Sequence, residues 1–191
     1  LANTGAVAIC GPGGIGKTAV ADMVFALCLA RSKAGSGPST TGAEHPADSL
    51  VFTYLIRVTA KPSEIDRMAF DRVEVVTENG QIRSLQHLLQ RIADVLERKE
   101  HLAGPIDKRL ISLRKLILEH ARPMDGRRRP MLLMIDNCEE FDAQTMKSIT
   151  DFVDGIDRND LAVIFTSRLP TSSAPTVHMT PLMRVDAQQV V

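Results

Sequence analysis

The chain lacks an excess of either charge: 23 lysines and arginines face 23 aspartates and glutamates. That balance argues against attachment to nucleic acid or to an anionic membrane through net charge. It also lacks an apolar run approaching the roughly 20 residues of a membrane span. The longest near the start, Ala19 to Ala30, is interrupted by Asp22. No basic segment precedes that run as in a signal peptide. Cysteine is scarce, and Cys10, Cys28 and Cys138 sit in apolar surroundings at no metal-ligand spacing. They fit small core residues in a reducing cytosol. His87, His101 and His120 have no partners at metal-ligand spacing either, and no nucleophile is identifiable near His45 or His178. No internal repeat is visible.

What is there suits one α/β domain. The chain has 191 residues, of which 44% are hydrophobic, enough for a sizeable core. It opens on Leu1 rather than Met, and it reads as a piece excised from a longer protein. Val7 to Cys10 is a short apolar β-type run ending in glycines, and Lys17 to about Ser32 reads as a largely buried helix. Lys33 to Asp48, rich in Gly, Ser, Thr and Pro, predicts a loop. Leu50 to Val58 and Arg72 to Thr77 are β-type runs, and a short helix is expected at Ser63. Ser84 to Arg98, Asp107 to His120 and Ala143 to Asp154 carry apolar residues at helical spacing. The leucines of the first two fit sheet-covering faces, since neither pattern lasts long enough for a coiled coil. Met131 to Ile135 and Leu161 to Phe165 are continuously apolar strands, and Val177 to Leu182 predicts a last short one. Strands alternating with helices, apolar throughout at the centre, imply a parallel sheet covered on both faces.

Between the first strand and the first helix stands GPGGIGKT, Gly11 to Thr18. Gly11, Gly16, Lys17 and Thr18 fit the phosphate-loop pattern G-x-x-x-x-G-K-[ST] without mismatch, in the strand–loop–helix context it requires. A phosphate is held by several backbone N–H groups pointing inward at once, which takes conformations that glycine adopts readily. The helix N-terminus adds partial positive charge. Gly11, Pro12, Gly13, Gly14, Ile15, Gly16, Lys17, Thr18 and Ala19 are therefore the expected nucleotide-binding residues. Lys17 is expected to reach the β- and γ-phosphates, and Thr18 to place its hydroxyl on Mg²⁺.

The metal's water shell calls for an acid at a neighbouring strand end. MLLMIDNCEE supplies Asp136, which would otherwise be a helix N-cap; beside a complete phosphate loop the metal role is favoured. Glu139 and Glu140 follow. One of them could polarise the attacking water, with Glu139 the candidate, or both could be solvated first-turn acids. Asn137 cannot take a proton as a carboxylate can, so a base belonging there would be missing and hydrolysis slow. In LAVIFTSR, Thr166 and Arg168 stand at the carboxyl end of a buried strand, where open α/β sheets bind ligands. A guanidinium there can contact a γ-phosphate; the alternative is a plain surface arginine.

GPGGIGKT, MLLMIDNCEE and AVIFTSRLP, in this order, resemble the signal-transducing ATPases with numerous domains, the STAND class, which includes the NB-ARC and NACHT modules. VHMTPL looks like the strand closing that module. The resemblance spans about Ala6 to Leu182. It implies an ATP/ADP- and Mg²⁺-binding P-loop NTPase: a three-layer α/β/α sandwich whose mostly parallel sheet has five strands or slightly more, in the order 2-3-4-1-5. Lys17 and Thr18 match the family's phosphate and Mg²⁺ residues, Asp136 its metal aspartate, and Arg168 the arginine that senses the γ-phosphate. It implies a nucleotide-binding domain over residues 1–183, with 184–191 beginning a helical segment. Expected partners are the neighbouring helical-lid, sensor and effector domains, and other copies in the ATP state. No membrane or direct nucleic-acid partner is expected, and the location is cytoplasmic.

Two departures stand out. Many members carry a second acid directly after the metal aspartate, where this chain has Asn137. The region from Ser49 to Asn79 offers two β-type runs where one core strand is expected. A remodelling ATPase of the AAA+ class shares the loop and Asp136 but normally has a glutamate at position 137. A small-molecule kinase would need an arginine-rich lid, and Arg127 to Arg129 read better as a solvated turn. A GTPase lacks support because no guanine-reading N-K-x-D occurs.

Overall fold

The computed structural model describes residues 5–34, 52–61, 82–121, 129–170 and 174–181. Five strands form one sheet: β1 (Ala6–Cys10), β2 (Leu55–Thr59), β3 (Met131–Asp136), β4 (Leu161–Ser167) and β5 (Thr176–His178). Their order is β2-β3-β4-β1-β5, and all four pairings are parallel. This is the expected P-loop NTPase-like order. Among the described residues four α-helices cover the sheet: α1 (Lys17–Ala34), α2 (Leu85–Val95), α3 (Ile106–His120) and α4 (Ala143–Asp154).

Each central strand feeds two cores, because successive side chains point to opposite faces. On β3, Leu132 and Met134 join Ile9, Leu55 and Ile164 against Ala21, Phe25 and Leu29 of α1. Met131, Leu133 and Ile135 pack the other way, with Val163 and Phe165, against α2, α3 and α4. The two-sided burial explains why these strands are apolar throughout.

The helices start and stop where local chemistry says. Ser84 caps α2 by accepting from the His87 N–H at 3.3 Å, and Asp142 caps α4 by accepting from the Thr145 N–H at 2.6 Å. That N–H holds the Asp142 carboxyl below its ordinary range. Helix α2 ends at Val95, short of the expected Arg98, as the chain passes into a left-handed residue, Glu97 (φ 52°). The Arg114 guanidinium donates to the carbonyls of Asp151 (2.9 Å) and Phe152 (3.3 Å), tying α3 to the end of α4.

Other boundaries differ from the sequence expectation. Helix α1 runs on to Ala34, so the loop does not begin at Lys33; the rest of that loop lies outside the described residues, as do the helix expected at Ser63 and the run Arg72 to Thr77. Of the two β-type runs, the one ending in Val58 contributes the core strand, from Leu55 and one residue further, paired to β3. Strand β5 stops at His178, not at Leu182: its pairing with β1 ends at Cys10, where the phosphate loop departs, and Pro181 has no N–H to extend a ladder. Among the described residues no helix is long and apolar enough to cross a membrane.

Candidate functional site

The carboxyl ends of β1, β2, β3 and β4 meet at one edge of the sheet, and the expected residues gather there. The loop after β1 leads straight into α1. Gly14 (φ 77°) and Gly16 (φ 96°) adopt backbone conformations that side chains disfavour, and a Cβ on either would meet nothing within 4 Å. Conformation rather than crowding selects glycine there. Gly11 is different: a Cβ would lie 2.7 Å from the Met179 carbonyl, so the chain after β5 packs directly on the loop. Gly13 and Gly14 are exposed, as are Pro12, Gly16 and Ala19; Ile15 is partly covered.

Lys17 is buried, and its Nζ donates to the carbonyls of Gly11 and Pro12, both at 2.9 Å. The ammonium therefore lies across the inside of the loop. No acidic side chain occupies the first turn of α1, which leaves the helix terminus positive toward an anion.

Thr18 and Asp136 are 118 residues apart, yet the Thr18 hydroxyl donates to Asp136 Oδ1 at 2.9 Å. Asp136 is buried and accepts two further hydrogen bonds: one from the Thr166 hydroxyl on Oδ1, one from Asn137 Nδ2 on Oδ2 at 2.9 Å. Buried carboxylates require such partners. The Thr166 hydroxyl oxygen in turn accepts from the Asn137 N–H at 3.0 Å, and Thr59 Oγ1 accepts from Asn137 Nδ2 at 3.3 Å. Asn137 sits in the left-handed region (φ 59°, ψ 46°), which asparagine tolerates better than most residues. It thus joins the ends of β2, β3 and β4.

Hydroxyl and carboxylate oxygens side by side are the hard donors that Mg²⁺ prefers, beside a loop suited to phosphates. The residues present fit a magnesium nucleotide: Thr18 and Asp136 would hold the ion together with phosphate oxygens and water. Among the described residues no group of three or more His, Cys, Asp or Glu is placed to hold a metal ion by itself.

Arg168 and Glu139 close the edge. Arg168 Nε lies 3.0 Å from Glu139 Oε1, and the Arg168 backbone N–H donates to Glu139 Oε2 at 3.3 Å. The guanidinium also leans over the phosphate loop: a Cβ on Gly13 would sit 3.8 Å from Arg168 Nε. Glu139, expected as a candidate for polarising water, is thus engaged with Arg168, while Glu140 is exposed. Beside them, burial pushes the Cys138 thiol far above its ordinary range, aided by the nearby Glu139 and Asp136 carboxylates, so it is an inert core residue.

Sequence reasoning missed the parts played by Thr59 and Asn137 as partners in this network, and by Thr166 as a donor to Asp136. The available signal was position: each is a polar residue at or just past the carboxyl end of an apolar strand. A further tie was not foreseen. Arg57 on β2 pairs with Asp22 of α1 (Nε to Oδ1, 3.1 Å), one helical turn beyond Thr18.

No family model matches the chain, and no curated protein matches it significantly. Solved structures do. The Drosophila ORC bound to DNA is similar at a TM-score of 0.55 and 15% identity, over 98% of this chain and 40% of that one. Cdc6p from Pyrobaculum aerophilum is similar at 0.52 and 14%, over 97% of this chain and 41% of that one. The chain thus shares its fold with about two fifths of each.

Proposed function

We propose that this chain is the ATP/ADP-binding core of a STAND-type nucleotide switch with weak ATP hydrolysis, spanning residues 1–183. ADP holds a closed monomer. ATP favours an open form that associates with other copies and activates a neighbouring effector, with helical-lid and sensor domains on the parent chain. The observation that carries the nucleotide reading is the meeting of Thr18 and Asp136 at 2.9 Å beside the Lys17 loop. A switch needs differential contact with its two ligands, and Arg168, over Gly13, supplies a group that only the triphosphate would engage. The amide of Asn137, where a base would stand, supports slow turnover.

A second reading is supported by the solved neighbours. ORC and Cdc6p are AAA+ P-loop NTPases, and a remodelling ATPase with sustained turnover fits their likeness equally. One experiment separates the two. The protein is incubated with Mg²⁺-ATP and desalted, and bound and released nucleotides are quantified by chromatography. ADP retained on the protein with little released is the result expected of the switch. Sustained ADP release that disappears in Lys17→Ala would replace the switch by the remodelling ATPase.

A further inference from the structure

We infer that Glu139 is a positioning residue for Arg168: its ion pair with Nε keeps the guanidinium beside Gly13 of the phosphate loop, with the Nη groups left for a terminal phosphate. This rests on the nucleotide-switch reading above.

The turn that carries Glu139 is firmly seated. Asn137, left-handed at φ 59°, reverses the chain after β3. Cys138 then buries its side chain, its thiol 3.3 Å from the Ile135 carbonyl. Glu139 is thereby returned to the exit of β4, with 12% of its side chain exposed. A carboxylate that covered needs a donor and a counter-charge: the Arg168 backbone N–H donates to it, and the guanidinium pairs with it, Nε lying 3.0 Å from Oε1. The grip is on one edge only. Among the described residues the hydrogen bond of Arg168 to Glu139 comes from its backbone N–H and none comes from the two Nη groups, and its side chain is 60% exposed.

A guanidinium offers five donors in a rigid fork. With Nε held by a fixed carboxylate, rotation of the fork is restrained while the remaining donors stay available. An arginine so oriented loses less rotamer freedom on meeting phosphate than one at large. Glu139 therefore raises the preference for ATP over ADP without touching the nucleotide. A general base in its place would instead affect the chemical step and leave binding of a non-hydrolysable triphosphate alone. A mere competitor for Arg168 would act with the opposite sign.

The test measures the Kd of Mg²⁺-ADP and of Mg²⁺-β,γ-imido-ATP for the unsubstituted chain, Glu139→Gln, Arg168→Ala and the double variant. Glu139→Gln is expected to lower the preference for the triphosphate about three- to fivefold, the scale of a partly exposed ion pair. In the Arg168→Ala background the same change should do nothing further. A preference that is unchanged or raised in Glu139→Gln, or equally lowered without Arg168, overturns the assignment. If neither nucleotide binds the unsubstituted chain in a Lys17-dependent way, the nucleotide-site reading falls and this inference with it. The unsubstituted protein gives an independent readout should Glu139→Gln not fold. The Arg168 Nε NMR signal should keep its position in both nucleotide states, while its Nη signals shift only with the triphosphate. An Nε signal that shifts on binding the triphosphate as far as the Nη signals do overturns the positioning role.

Discussion

The two faces of the sheet are built differently. One is covered by three helices that interlock: Leu88, Leu89 and Ile92 of α2, Leu113, Leu116 and Ile117 of α3, and Ile149 and Phe152 of α4 are all at most 2% exposed. The other is covered, among the described residues, by α1, which buries Ala21, Phe25 and Leu29 against the strands. Yet α1 is the helix whose first turn meets the phosphate loop and whose Thr18 reaches Asp136. Among the described residues, packing is thus concentrated on one face and chemistry on the other. Substitutions on the two faces should therefore separate stability from binding.

The largest effect is expected on the packed face. Phe152 is 1% exposed and lies under the Arg114 guanidinium, 5.7 Å from its ring centre. Phe152→Ala should cost about 3–5 kcal/mol of unfolding free energy through lost burial and an unfilled cavity, read by denaturant titration. A loss under about 1 kcal/mol would mean that this face is not the main store of stability. The next effect belongs to the other face. Lys17→Ala should weaken Mg²⁺-ATP binding about a hundredfold, roughly 2.8 kcal/mol at 1.4 kcal/mol per tenfold, measured by calorimetry. Its unfolding midpoint should move far less than that of Phe152→Ala. A midpoint that falls as far would erase the division between faces.

Much of this division could be read in the sequence, and the rest could not for identifiable reasons. The phosphate loop is a contiguous motif, and the continuously apolar strands β3 and β4 announce a sheet covered on both sides. The choice between Leu50 to Val58 and Arg72 to Thr77 was not legible: both are β-type in composition, and only pairing with β3, tens of residues away, distinguishes a core strand. The network of Thr59, Asn137 and Thr166 around Asp136 is likewise a product of register between strands. The role of Glu139 depends on the left-handed turn at Asn137, and local composition gives no sign of it. Helix α1 is apolar nearly all round, so periodicity could not say which side faces the sheet.

A comparable effect probes the chemical half of the comparison. Asn137→Asp keeps a residue that tolerates the left-handed conformation and exchanges an amide for a carboxylate beside Asp136. If a base is what the site lacks, steady-state ADP release should rise about a hundredfold, the lower end of what a positioned base contributes. The site would then differ from a turning-over ATPase chiefly by one atom type at one position. Unchanged release with ATP still bound would show that slow turnover has another cause.

The smallest effect is expected on the outer side of α1. Val20, Met23, Val24 and Leu27 recur at helical spacing and are 41%, 66%, 37% and 57% exposed. Since Ala21, Phe25 and Leu29 already supply the buried stripe, these four contribute little to packing against the sheet. Met23→Gln with Leu27→Gln should change unfolding free energy by less than about 0.5 kcal/mol, as for other surface substitutions. Nucleotide affinity should stay within about twofold, because α1 holds its place through the opposite stripe and through Arg57 to Asp22. A larger loss of stability would show that this side is covered within the folded chain. A loss of affinity without a loss of stability would show instead that α1 transmits its outer surroundings to the phosphate loop, and the two faces would then differ in mobility as well as in packing.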